Sequence, residues 1–163
     1  MSPGGRGSVA FPEIDTGRLR LVIARPGLEN ALARFFAENF VGHLDRWSPP
    51  APPEGFGAQL WETRLPAFER QFAAGETARW VMLAPGPAPE EIIGTCNYTQ
   101  IARGPFCACV LGYQIARRHE GCGLMHEALV ATLDYAFREL KLHRVMANFR
   151  PKNERSARLL DRL

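Results

Sequence analysis

No apolar run in this 163-residue chain approaches the roughly 20 residues a helix needs to cross a bilayer. The opening stretch MSPGGRGSVAFPE has one basic residue and no apolar core, so it does not read as a secretory signal. It reads as a flexible arm over residues 1–16 of a single domain covering 1–163. Cysteine is scarce and wrongly spaced for zinc: Cys96, Cys107, Cys109 and Cys122 form no CxxC pair and meet no paired histidines, so no metal is expected. Free thiols in a reducing cytosol fit that usage and place the protein in the cytoplasm. Internal repeats and low-complexity tracts are also missing, as is any motif that reads nucleic-acid bases directly.

What remains is an ordinary globular composition, 46% hydrophobic and 23% charged, long enough to bury one stable core. The net charge of +3 is unevenly spread. Residues 1–99 hold 9 basic against 11 acidic side chains, whereas residues 100–163 hold 11 against 6. A basic C-terminal third suits an anionic ligand, and equally a solvated mixed surface.

Periodicity orders the elements as β, α, α, β, β, β, α, β, α. GRLRLVIARP alternates and ends at Pro26, as a strand does. A helix follows, with Leu28, Leu32, Phe35, Phe36 and Phe40 on one face, and then a proline-rich loop, RWSPPAPPEGFG, with Trp47 as its packing anchor. AQLWETRLPAFERQFAAG is helical with a break or kink at Pro66. ARWVMLA, EIIGTCNYTQIA and FCACVLGYQIA are strands, the last two antiparallel neighbours, with a proline turn PGPAPE after the first. A helix spans about Leu124 to Leu140, its core face carrying Met125, Leu129, Leu133, Ala136, Phe137 and Leu140. HRVMANF is a strand reached by a parallel crossover, and NERSARLLDRL is an amphipathic helix. The fold class is α/β, a mixed and mostly antiparallel sheet with helices on both faces.

The join between GYQI and the long helix carries the chemistry. Gly121 and Gly123 bracket a turn that feeds a helix start, where backbone N–H groups lack partners and favour an anion. A P-loop would continue with Lys-Ser/Thr, but Leu124-Met125 follows. A dinucleotide fingerprint would need a third glycine, and His126 stands there. What survives is either a bed of amides for a pyrophosphate or a tight loop that uses glycine for its positive φ.

EIIG, GYQI, GCGLMHEAL and MANF, with TGRLRL further upstream, resemble the GNAT superfamily of N-acetyltransferases, and within it the ribosomal-protein-alanine N-acetyltransferases. The resemblance is dense from Glu91 to Leu163. It implies acetyl-CoA as cosubstrate and a protein N-terminal amine, most plausibly on a ribosomal protein, as acceptor. It implies two strands splayed at the acetyl-CoA site, with the main chain of Tyr113, Gln114 and Ile115 pairing with the pantetheine arm. The amides of Gly121, Cys122, Gly123, Leu124, Met125 and His126 would receive the pyrophosphate. The family's signature fits as Arg118-x-x-Gly121-x-Gly123, or one step on, with Glu120, Gly123 and Met125 at its key positions.

Asn153 matches an asparagine that holds the pantetheine, and Ser156 a serine near the sulfur that would serve the leaving thiolate. Asn148 stands where a related group carries a glutamate base and cannot accept a proton; His119, His126 and His143 are bases by residue type only. The family continues beyond the equivalent of Leu163 with two more strands. Their lack here implies a C-terminally truncated sheet, with an open edge available for self-association. A small-molecule amine acetyltransferase and a non-catalytic acyl-CoA- or ribosome-binding module are the competing readings.

Overall fold

A computed structural model describes residues 10–86 and 90–163. Six strands form one sheet in sequence order: β1 Glu13–Asp15, β2 Arg20–Ile23, β3 Ala78–Leu83, β4 Ile92–Ala102, β5 Ala108–Ile115 and β6 Arg144–Ala147. Each pairs antiparallel with the next, except that β6 lies parallel to β5. Four helices accompany them: α1 Glu29–Asn39, α2 Ala58–Ala73, α3 Leu124–Arg138 and α4 Glu154–Leu160.

The period-two pattern of the strands splits the core in two. Leu19, Leu21 and Ile23 point to one face, where Trp80, Met82, Cys96 and Tyr98 meet Met125, Ala128 and Leu129 of α3. Val22, Val81 and Leu83 point to the other, against Leu32 and Phe35 of α1 and Trp61 and Leu65 of α2. Tyr98 Oη and Thr132 Oγ1, 2.9 Å apart and both buried, satisfy each other where α3 crosses β4. The α3 crossover supplies the length that a parallel β5–β6 pairing requires.

Three sequence expectations change. Glu13–Asp15, expected within the arm, pair with β2 as a three-residue strand, too short to show alternation; residues 1–9 of that arm lie outside the described residues. Of the break or kink expected at Pro66 the break does not occur, and α2 runs through it as one helix. Leu65 on that helix is fully buried, so packing outweighs the one hydrogen bond proline forgoes. Trp47 is 44% exposed and is no anchor; Trp61 and Phe56 fill that role. Part of the PGPAPE turn, residues 87–89, lies outside the described residues. Among the described residues β6 is an edge strand, unpaired on its outer side.

Candidate active site

The turn after β5 is built from glycines in the conformation only they adopt readily. Gly121 has φ 76° and Gly123, the N-cap of α3, has φ 77°. No side chain caps α3, and the first backbone bond into it is from Glu127 N–H to the Gly123 carbonyl. The six consecutive N–H groups from Gly121 to His126 have no hydrogen-bond acceptor among the described residues. Such a row of unpaired amides at the positive end of a helix dipole favours an anion and makes a candidate oxyanion bed.

A brace holds the bed in place. Arg18, in the β1–β2 turn, donates to Glu127 Oε2 (2.7 Å) and to the Cys122 carbonyl (3.1 Å), while Thr16 Oγ1 donates to Glu127 Oε1 at 2.5 Å. The Thr16 hydroxyl first, and then Arg18, hold the Glu127 carboxyl below its ordinary pKa. Neither Thr16 nor Arg18 carries a signal as a site residue in the sequence, because each acts through a partner more than 100 positions away. His126 donates its Nε2–H to the Arg162 carbonyl (3.2 Å), and Met125 packs its sulfur 3.7 Å from Cys96 Sγ. The Cys122 thiol is exposed at the turn.

Next to the bed the sheet opens. β6 pairs with β5 only along Ala108–Leu111, so Gly112–Ile115 keep a strand neighbour on the β4 side alone. Ala116 N–H donates to the Ile93 carbonyl on that side at 2.7 Å. By alternation the peptide groups of Gln114 also face β4, while those of Tyr113 and Ile115 face the gap. The expected main-chain role of Gln114 is thereby corrected: its backbone is committed to the sheet, and its side chain donates to Ser48 Oγ (2.8 Å).

Tyr113 Oη lies 2.5 Å from Ser156 Oγ. Asn153 caps α4 by accepting from Ser156 N–H through Oδ1 (3.2 Å). Three predicted residues thus meet at the mouth of the gap. Burial, more than the Ser156 contact, sets the Tyr113 phenol, and it raises the pKa. Burial also pushes the Cys96 thiol up to about 12 and Cys109 up to about 11, which removes both as nucleophiles. His119 is engaged by Glu91 at 3.0 Å, and His143 and Asn148 are exposed. His43, unremarked in the sequence, donates Nε2–H to the Ile115 carbonyl (2.9 Å).

On the opposite face of the sheet, under α1 and α2, lies a pocket of about 440 Å³. Its walls are aromatic and proline-rich, from Phe36, Phe56, Trp61 and Phe68 to Pro49 and Pro50. Thr95, Asn97 and Gln114 form its floor. The loop carrying His43 and Ser48 touches β5 at Ile115 and Gln114, and Ser48 also lines this pocket.

A splayed parallel strand pair beside a glycine-rich amide bed defines an acyl-CoA-dependent transferase. Residues 18–163 match the acetyltransferase (GNAT) domain model, and the chain belongs to that family, whose members use acyl-CoA. The chain is 37% identical over 162 residues to the [ribosomal protein uS5]-alanine N-acetyltransferase of Escherichia coli (strain K12), covering 98% of this chain and 81% of that protein. The crystal structure of ribosomal-protein-S5-alanine acetyltransferase from Vibrio fischeri superposes with a TM-score of 0.88 at 28% identity, covering 93% of this chain and 81% of that one. Mycobacterium smegmatis RimJ in complex with CoA-disulfide shares the fold, with a TM-score of 0.79 at 23% identity over 88% of this chain and 68% of that one. No helix among the described residues is long and apolar enough to cross a membrane.

Proposed function

We propose that the protein transfers acetyl from acetyl-CoA to the N-terminal alanine of a ribosomal protein in the cytoplasm, with uS5 as the first candidate. The similarity to the two uS5-alanine acetyltransferases supports the acceptor. One structural observation carries the chemistry: the row of six free amides opens beside a strand edge, while a separate pocket opens on the sheet's other face. The residues suit the cosubstrate. Gly121–His126 would hold the pyrophosphate, and the peptide groups of Tyr113 and the Ile115 N–H would pair with the pantetheine amides, the Ile115 carbonyl being engaged by His43, with Asn153 beside them. When bound, acetyl-CoA supplies an activated acyl carbonyl and a thiolate leaving group.

The chain's own residues do the rest by placement and by holding one proton. Tyr113 stays protonated because burial raises its pKa, so its O–H can donate to Ser156 Oγ. As the Ser156 hydroxyl passes its proton to the departing sulfur, the Tyr113 O–H would replace it, and water, which takes the proton the amine loses, would return one to the phenol. No carboxylate or imidazole lines the acceptor pocket among the described residues. An amine that is already neutral suits such a pocket. At pH 7.5 about a third of a terminal α-amine (pKa about 7.8) is neutral, against about a thousandth of a lysine ε-amine (pKa about 10.4). That ratio selects the N-terminus, and the amine's proton leaves to water.

Thiol release with a panel of N-terminal peptides tests the reading. Alanine-initiated ribosomal peptides should turn over at least about tenfold faster than lysine or polyamine acceptors. Turnover confined to small amines would overturn it.

A further inference from the structure

The acceptor pocket contains two guanidinium groups that no carboxylate among the described residues answers. Arg79 stands on β3 and faces the pocket together with Asn97 of β4, its cross-strand partner. Its guanidinium lies over the Phe68 ring, 4.4 Å from the centroid, and its Nε is buried without a hydrogen-bond partner. Arg64 lies on α2 with its guanidinium 5.9 Å from the Trp61 ring centroid. Trp61, Arg64 and Phe68 recur at spacings of three and four, so one stripe of α2 presents two aromatic rings with a charge between them. The Trp61 Nε1–H is also buried and unpartnered. Among the described residues neither arginine makes an ion pair, although most of the chain's other ion pairs involve an arginine.

Both orphaned atoms are donors, and both charges are positive. Burial first, and then the like charge of Arg64, lower the pKa of Arg79, so the two groups strain against each other. A half-buried, unanswered cation pair is costly unless an anion completes it. A phosphate would need the wide approach that the amide bed on the other face offers. This pocket is walled by aromatics and proline, and its guanidinium groups suit a planar carboxylate met by a fork of donors.

We propose that Arg64 and Arg79 form a carboxylate-reading subsite that selects acceptor chains with Asp or Glu shortly after the acetylated residue. Resting on the acetyl-acceptor reading above, it names what the pocket recognises. The distance sets the position. Arg79, Asn97 and Gly112 lie in register across β3, β4 and β5. At about 4.8 Å between strands, Arg79 stands roughly 10 Å from the β5 edge where the amine must arrive. An extended chain rises about 3.3 Å per residue, so the acid falls at the third or fourth residue. The same charges repel polyamines and lysine-rich N-termini.

The test compares alanine-initiated peptides that differ only as Glu or Gln at residues two to five. Two readouts are used: kcat/KM for acetylation, and calorimetric binding of the N-acetylated product peptides to the full chain. With the unaltered protein, Glu at residue three or four should improve both by about tenfold or more, the worth of a charged hydrogen bond. The preference should fall below about twofold in Arg64→Gln and in Arg79→Gln, with CoA affinity unchanged. Arg64→Glu, on α2 and outside the sheet, should reverse it in favour of a lysine peptide, which keeps the test alive if Arg79→Gln fails to fold. Peptides that are acetylated with equal efficiency for Glu and Gln would overturn the subsite alone. Peptides that neither bind nor turn over, while small amines do, would overturn the acceptor reading and the subsite with it.

Discussion

The amide bed and the acceptor pocket lie on the two sides of one strand, yet they are made in opposite ways. The bed is contiguous: Gly121 to His126 supply backbone groups, and only the glycine positions matter for its shape. The pocket is assembled from α1, α2, a proline-rich loop and three strands, and side chains give it its character. A backbone site tolerates varied side chains and fails when its φ angles are lost. A side-chain site survives such changes and fails when a charge is removed.

That contrast yields unequal mutations. Gly123→Val should be the most damaging for the cosubstrate. A β-branched residue resists φ 77°, and its side chain would crowd the phosphate approach, so CoA affinity should fall about 100-fold by calorimetry. The added Cβ would sit 3.7 Å from Arg18, ordinary contact, so the chain should still fold, with the positive φ alone costing about 1–3 kcal/mol and lowering the melting temperature by several degrees. Unchanged affinity in a folded variant would remove the bed from the cosubstrate site.

Ser156→Ala should act on the other quantity. We expect kcat to fall about tenfold with CoA affinity retained, because a proton given to sulfur matters only as the thiolate departs. Tyr113→Phe should show a smaller fall in the same direction, since it orients Ser156 without touching sulfur. Asn153→Ala removes an N-cap, and should cost about 1 kcal/mol of stability as well as CoA affinity. An effect of Ser156→Ala on affinity alone would reassign it to binding.

The smallest effect concerns acid. The folded Glu127 carboxyl is held below its ordinary value, so its contacts with Thr16 and Arg18 contribute stability that is fully present above about pH 4.3 and is lost as pH falls through the folded value. CoA affinity of the unaltered protein should weaken across that acidic window more than in Glu127→Gln, which has no charge to lose there. Parallel pH profiles for the two would show that the brace does not support the bed.

The same contrast explains what could be read from sequence. Periodicity located the long strands and helices and both packing faces, because Leu21 and Val22 must part company on any half-buried strand. The turn was legible as a run of glycines before a helix, and its kinship through GYQI and GCGLMHEAL. The pocket was not. Arg79 interrupts the apolar strand ARWVML, and a lone charge on a buried strand is the one local mark it leaves. Its partners Asn97 and Arg64 come together only through the pairing of β3 with β4 and the packing of α2. His43 and Arg18 were hidden for the same reason, each acting on main chain or carboxylate far along the sequence.

Residue-resolved amide hydrogen exchange with CoA, and then with CoA and an alanine-initiated peptide, tests the two-sided arrangement most directly. CoA should slow exchange across Gly121–His126 and at Tyr113 and Ile115. The peptide should then slow exchange at Ser48 and along the loop beside the pocket, leaving the turn as it was. Saturating CoA that leaves Gly121–His126 exchanging at the free rate would contradict the account.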